Sequence, residues 1–392
     1  MLGALAALLP AGAAAQQSDA RQRTTETIVA DGLAQLPAAD AKVFNQVMGE
    51  LAATGSKGVE MIAAMLVPAD KGKNATFEYA LNGVVAYVTD PAHEALRDAV
   101  RKGLLAAIDR CGDDANRAFL FSQLQFCSTA ADAAAMARYL DDPYLAGYAL
   151  RALVSTPGTE ALLLAEAGKD DLTAARKQAL AYAFAEKRLA AAEPFLLTWL
   201  EGADAQTAEQ IYNALAACGS QASLKPLAAA AAKTGYAWDD AGAADAYLRL
   251  LARLAAAGDA RAVKAAKGLL KCDLQYIRGG ALAILADALG VQKAMPYVLK
   301  ALEEGPAEYR FAALQSLGKG DDKLFSQVAA GMPRYDAAAQ AAVIGWLGEC
   351  GAVSQADVIT AAVASPDGCV AEAAIAASGR IGGEKALRAL AG

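Results

Sequence analysis

At 392 residues the chain is long enough for two or three ordinary domains. Its hydrophobic fraction of 56% rests on alanine, with aromatics at only 6%, and Ala-rich sequence favours closely packed helices. The formal charge of −7 argues against a broad phosphate-binding face, because duplex binding requires clustered Lys and Arg, and no nucleic-acid partner is expected.

The chain opens "MLGALAALLPAGAAAQQSDAR". An apolar stretch from Leu2 to Leu9, a breaker at Pro10, and Ala13 and Ala15 as an A-x-A site before Gln16 read as a signal peptide over residues 1–15, although no Lys or Arg precedes the apolar stretch. The mature protein is then expected in the periplasm or outside the cell. Residues 16–39 are polar at first and then suit a short helix, a linker or an N-terminal cap. No later stretch reaches the roughly 20 apolar residues of a membrane span.

From residue 40 onward, helical apolar patterns are interrupted by small or turn-forming residues. The interruptions fall near Thr54-Gly55, Thr89-Asp90, Cys127-Ser128, Thr156 to Gly158, Ala185-Glu186 and Cys218-Gly219, then Gly258-Asp259, Gly290, Gly318 to Gly320, Cys350-Gly351 and Gly379 to Gly383. Separations of about 28 to 39 residues fit two helices of ~12 residues with two short connections, one helical hairpin per repeat. "LARLAAAGDARAVKAAKGLL" (251–270), "AAIAASGRIGGEKALRAL" (373–390) and "ALRALVSTPGTEALLLA" (149–165) share the layout. Gly supplies a left-handed C-cap, Asp or Thr caps the next helix, and Pro is confined to a first turn. The expected fold is all-α: an α-solenoid of about eleven hairpins stacked into a curved superhelix.

Over residues 40–392 this pattern resembles HEAT repeats, particularly the short bacterial variety also found in phycobilisome lyase-like proteins, within the armadillo-type folds. The resemblance implies a scaffold or protein-binding surface, with a concave face usually lined by each repeat's second helix. Deoxyhypusine hydroxylase has a similar fold but holds iron through several His-Glu pairs, whereas this chain has one histidine, His93, followed by Glu94. HEAT-like alkylpurine DNA glycosylases need a cationic groove with aromatics, against which the charge balance speaks.

Catalytic motifs are scarce. A Ser-His-Asp triad would have to centre on His93, and no G-x-S-x-G elbow, P-loop or paired C-x-x-C appears. His93 reads as a surface residue at the start of a second helix, and "GRIGG" (379–383) as a repeat turn. No catalytic, cofactor-binding or metal-ligating residue is assigned. The six cysteines alternate between opposite ends of the hairpins, too far apart for the ~5.5 Å Cα separation of a disulfide; six unpaired, mostly buried thiols are expected.

Two features offer binding chemistry. "KTGYAWDDAGAADAY" (233–247) is the longest non-periodic insertion and sets Tyr236 and Trp238 beside Asp239 and Asp240. On the simpler reading Trp238 folds back as a plug and the aspartates cap a helix; on the other, exposed aromatics anchor a partner. The second feature is a recurring Asp pair, 113-114, 141-142, 170-171 and 239-240. N-capping and the helix dipole account for it, the alternative being an acidic rim that attracts a basic partner or calcium. At the other end, Leu387 and Leu390 need cover, so the array is expected to continue past Gly392. The expected function is an exported, non-catalytic scaffold binding a protein, with a glycan as the other candidate ligand. The alternative is a helical accessory module of a larger secreted, carbohydrate-active enzyme whose catalytic domain lies beyond residue 392.

Overall fold

The computed structural model describes residues 23–68 and 70–391. The expected signal peptide and the start of the linker lie outside them. Among the described residues the chain is an all-helical α-solenoid: a leading helix, α1 (Thr25–Ala34), then eleven hairpins.

The first helices of the hairpins are α2 (Ala41–Ala53), α4 (Ala75–Thr89), α6 (Asp114–Leu124), α8 (Ala146–Ser155), α10 (Ala174–Glu186), α12 (Ala205–Cys218), α14 (Ala243–Ala256), α16 (Gln275–Leu289), α18 (Ala307–Gln315), α20 (Ala337–Glu349) and α22 (Gly368–Ile381). The second helices are α3 (Gly55–Ala63), α5 (Arg97–Arg110), α7 (Ala133–Ala137), α9 (Glu160–Ala167), α11 (Glu193–Trp199), α13 (Leu224–Lys233), α15 (Ala260–Leu269), α17 (Val291–Glu304), α19 (Asp322–Ala329), α21 (Ala356–Ala361) and α23 (Gly383–Ala391). The expected interruptions fall at or beside the hairpin turns, the one near Ala185-Glu186 lying on the last residues of α10 itself. At the turn before α15, Gly258 takes φ 85° and Asp259 caps the helix, its Oδ1 accepting from the backbone N–H of Arg261 at 2.8 Å and of Ala262 at 3.0 Å. A left-handed residue followed by an N-cap reverses the chain in two positions.

The chain divides into two compact units, one ending at Ala183 and the other beginning at Phe184, inside α10. In the first unit the largest wholly buried side chains include Phe121, Leu120, Leu124 and Met136. α1 packs on α2 and α3, burying Val29. α3 and α5 approach closely because Gly103 has no side chain: a Cβ there would meet the Ser56 carbonyl at 2.8 Å.

In the second unit the pattern differs. Each first helix from α12 to α22 lies against the next, whereas the backbones of successive second helices from α11 to α21 stand apart. Small residues make the close approach: a Cβ on Gly279 of α16 would sit 2.8 Å from the Ala312 Cβ of α18. Between the helix rows, Leu282, Val298, Val343, Ile344 and Leu347 belong to one buried cluster, each such side chain contributing about 1.5–3 kcal/mol of burial.

Polar ties join neighbouring repeats. Arg176 is buried and donates to Asp141 at 2.7 Å and Glu166 at 2.5 Å, while Lys169 also reaches Glu166 at 2.7 Å. Arg101 bridges Asp98 and the buried Asp132. In the second unit Glu193 accepts from Ser220 N–H at 2.7 Å and Ser223 Oγ at 2.5 Å, and Arg310 donates to Asp336 at 2.6 Å. Burial alone would raise Glu166, but hydrogen bonds from Lys169 and Arg176 hold it below the usual carboxylate range.

The paired aspartates are mostly accounted for by these local bonds. Asp113 caps α6, Asp142 accepts from two backbone N–H groups at the start of the next hairpin, and Asp141 is the inter-repeat partner of Arg176. His93 stacks on Tyr87 with ring centroids 3.7 Å apart, and its Nδ1 lies 3.1 Å from the Tyr87 carbonyl. All six thiols are free, but the expectation that most are buried is corrected: only Cys127 and Cys218 are, Cys111, Cys272 and Cys350 are half-buried, and Cys369 is exposed at the start of a first helix.

Candidate functional site

The face formed by the first helices of the second unit carries two clefts. The first is a cavity of about 120 Å³ bounded by Trp238, Asp239, Asp245, Leu248, Tyr276 and Ile277. The loop from α13 into α14 builds its wall. Tyr236 takes a left-handed φ of 65°, and its carbonyl accepts from the Tyr276 hydroxyl at 2.5 Å, across to α16.

The exposure of Trp238 overturns the plug reading. The indole is 81% exposed, and two residues before it the Tyr236 carbonyl is held by α16. The aspartates do not cap α14 either. Asp239 Oδ1 accepts from Ala241 N–H at 2.9 Å within the turn, Asp240 is exposed, and the helix N-cap is Gly242 at φ 66°. Of the four candidate residues Trp238 and Asp239 line the cleft, while Tyr236 and Asp240 belong to the same loop without lining it. Asp239 Oδ2 is buried without a donor.

A second cleft, about 270 Å³, lies between α18 and α20. Leu314, Ala342, Gly345 and Trp346 line it, and Phe311, 65% exposed, stands at its lip. Phe325 packs edge-on against the Trp346 ring at 5.4 Å, fixing the floor. Arg310 is the buried cation of this cleft; one nitrogen is spent on Asp336, and Nε has no acceptor. The Arg310 guanidinium and the Ala339 N–H hold the Asp336 carboxyl below its ordinary range.

Between the clefts, the Arg278 guanidinium of α16 lies 4.0 Å over the ring of Tyr309, the residue two before Phe311. This stack ties α16 to α18 and fixes the two sites on one surface. Tyr276, 55% exposed, and Phe311 are therefore presented from adjacent, rigidly joined helices. The resemblance to HEAT repeats points to the second helices as the binding face; here both clefts sit on the first helices.

Phe311 and Trp346 escape a sequence reading because aromatics inside a periodic segment look like core residues. Trp346 is core; Phe311 differs only in helical phase. In the first unit a cavity of about 410 Å³ opens between α3 and α5 beside the Glu60–Arg110 ion pair, but no aromatic residue lines it. Among the described residues there is no group of three or more His, Cys, Asp or Glu able to hold a metal, and no helix long and apolar enough to cross a membrane.

No family model matches the chain, and no curated protein matches it in sequence. Among solved structures, one from work on a phosphorylation switch controlling the interaction between cadherin and beta-catenin aligns over 91% of this chain and 91% of its own, at 12% identity and a TM-score of 0.33. A likeness at that score carries no argument about this chain, which is a helical-repeat protein on its own geometry.

Proposed function

We propose that this chain is a HEAT-type repeat scaffold that captures a protein segment across the first-helix face of its second unit. The observation that carries the reading is the pairing of two preformed apolar clefts with exposed aromatic lips, Trp238 with Tyr276 and Phe311 over Trp346. Large rigid aromatics in desolvated pockets supply most of the energy at protein interfaces. Each cleft also leaves one buried polar atom unsatisfied, Asp239 Oδ2 as an acceptor and Arg310 Nε as a donor. The wall chemistry suits binding without turnover.

The scaffold is proposed to work in the bacterial periplasm or outside the cell, residues 1–15 serving as its signal peptide; the Leu2–Leu9 run and the Ala13, Ala15 site support that reading. N-terminal sequencing of the protein recovered from its producing cell tests it: a mature chain beginning at Gln16 supports export, and retention of Met1 sinks it.

The binding proposal is tested by panning a displayed random-peptide library on the full chain. Selected peptides should lose at least about 30-fold in affinity on Trp238→Ala or Phe311→Ala, with the helical circular dichroism unchanged. Selected peptides that bind both variants as well as the parent would place the partner elsewhere. Oligosaccharides binding through Trp238 alone, with Phe311→Ala neutral, would turn the reading to a glycan.

A further inference from the structure

The charge balance of the whole chain conceals a local excess of cations on the second helices of the second unit. Lys225 and Lys233 lie on α13, Lys264 and Lys267 on α15 with Lys271 just past its end, and Lys293 and Lys300 on α17, all exposed. Lys264 and Lys267 share one face of α15, Lys271 follows in the turn that closes the helix, and the residue exposed between them is Gly268 rather than an acid. Lys267 Nζ stands 5.9 Å over the Tyr297 ring of α17, so the stripes of α15 and α17 are neighbours.

Counter-charge is sparse. Asp259 is occupied by the backbone of Arg261 and Ala262 and by Gln221. Glu303 faces Arg334 at 3.3 Å, and Glu304 reaches Lys300 at 3.7 Å. Asp273 beside Lys271, and Asp287 in the last turn of α16, are further exposed acids. The other six lysines make no ion pair among the described residues.

The form of the patch selects its target. Lysine is a compact point charge without the fork that reads one carboxylate or phosphate bidentately. None of these lysines lines either cleft; they are spread over three helices whose backbones stand apart. An acidic peptide presents a line of charge and is best held in a groove, whereas a bilayer with anionic headgroups presents diffuse charge over an area. Near such a surface each lysine contributes separately, within a Debye length. We infer that the outward face of α13, α15 and α17 docks the protein peripherally on an anionic lipid surface, leaving the first-helix clefts of the same unit on a different row of helices.

The test is co-sedimentation of the full chain with vesicles of phosphatidylglycerol and phosphatidylcholine, against phosphatidylcholine alone. Binding to the mixed vesicles, released by added salt and absent with phosphatidylcholine, is the expected result. Lys264→Gln/Lys267→Gln/Lys271→Gln should lower the partition coefficient roughly 100-fold, while Lys42→Gln/Lys73→Gln, two exposed lysines of the first unit, leave it unchanged. A triple variant that binds as tightly as the parent overturns the inference. So does a parent chain that ignores anionic vesicles, and binding of polyglutamate in their place would assign the patch to an acidic protein instead.

Discussion

Gly348 of α20 faces Ala377 of α22 so closely that a Cβ on the glycine would lie 2.6 Å from the alanine Cβ and 2.7 Å from its Cα. Two effects oppose each other in Gly348→Ala. Helix propensity favours alanine by up to ~1 kcal/mol, but forcing a methyl against a neighbouring backbone costs typically about 1–3 kcal/mol. Backbone cannot move aside as a side-chain tip can, so the clash prevails. Urea unfolding should show a net loss of about 1–2 kcal/mol, and Gly348→Leu a larger one. A stabilised Gly348→Ala would mean that α20 and α22 are not packed this closely.

The tryptophans separate optically. Trp238 is 81% exposed, against 8% for Trp199 and 5% for Trp346. Iodide should quench one component of the emission, and Trp238→Phe should remove that component and shift the remaining emission to the blue. Uniform quenching of all three would mean that Trp238 is covered.

Thiol labelling should proceed in order. Burial pushes Cys127 up to about 12 and Cys218 up to about 11, and the reactive species is the thiolate. Cys369 is exposed at the start of α22. In the native protein at neutral pH, maleimide should modify Cys369 first, while Cys127 and Cys218 react only on unfolding; mass mapping of labelled peptides reads the order. Rapid native labelling of Cys127 would contradict the packing around α6.

Arg176 joins two repeats through Asp141 and Glu166. Arg176→Ala strands a largely buried Glu166 with Lys169 as its remaining partner, at a cost of about 3 kcal/mol, the lower end for breaking a buried pair. Adding Asp141→Asn to that variant should cost almost nothing more, because the shared partner is already gone. Additive losses in the double-mutant cycle would show that the tie is not shared.

Acid should weaken the fold through the same contacts. Asp336, held down by Arg310, and Glu166, held down by Lys169 and Arg176, have folded pKa values below their unfolded ones of about 4. Their stabilisation is present above pH ~4 and is lost as pH falls through the folded values. Asp336→Asn should therefore lower stability at pH 7 and flatten the decline below pH 4; an unchanged acid limb would remove Asp336 from the account.

Turn chemistry was the most legible feature, because a glycine followed by a capping residue at Gly258-Asp259 leaves the backbone one economical path. Trp238 was not legible: the loop that carries it is tied to α16 by a bond between Tyr236 and Tyr276, forty positions apart. The cationic face was hidden for a related reason. A net charge of −7 averages over all surfaces, while Lys264 and Lys267 are gathered by helical phase, with Lys271 in the turn after them, and join Lys225 and Lys293 only once the repeats are stacked. The division at Ala183 and Phe184 left no mark in composition, since it falls within a helix like its neighbours.

The contrast between the two helix rows of the second unit has a mechanical consequence. Along the first helices, residues such as Gly348 and Ala377 are already in contact, so that row resists compression. Successive second helices share fewer backbone contacts and meet largely through side chains, as Gln221 meets Asp259 and Lys267 meets Tyr297, which yield more easily than packed backbone. The unit is thus expected to bend more readily along its second-helix edge than along its first. Such bending would change the distances between the lysines of α13, α15 and α17 more than that between Tyr276 and Phe311.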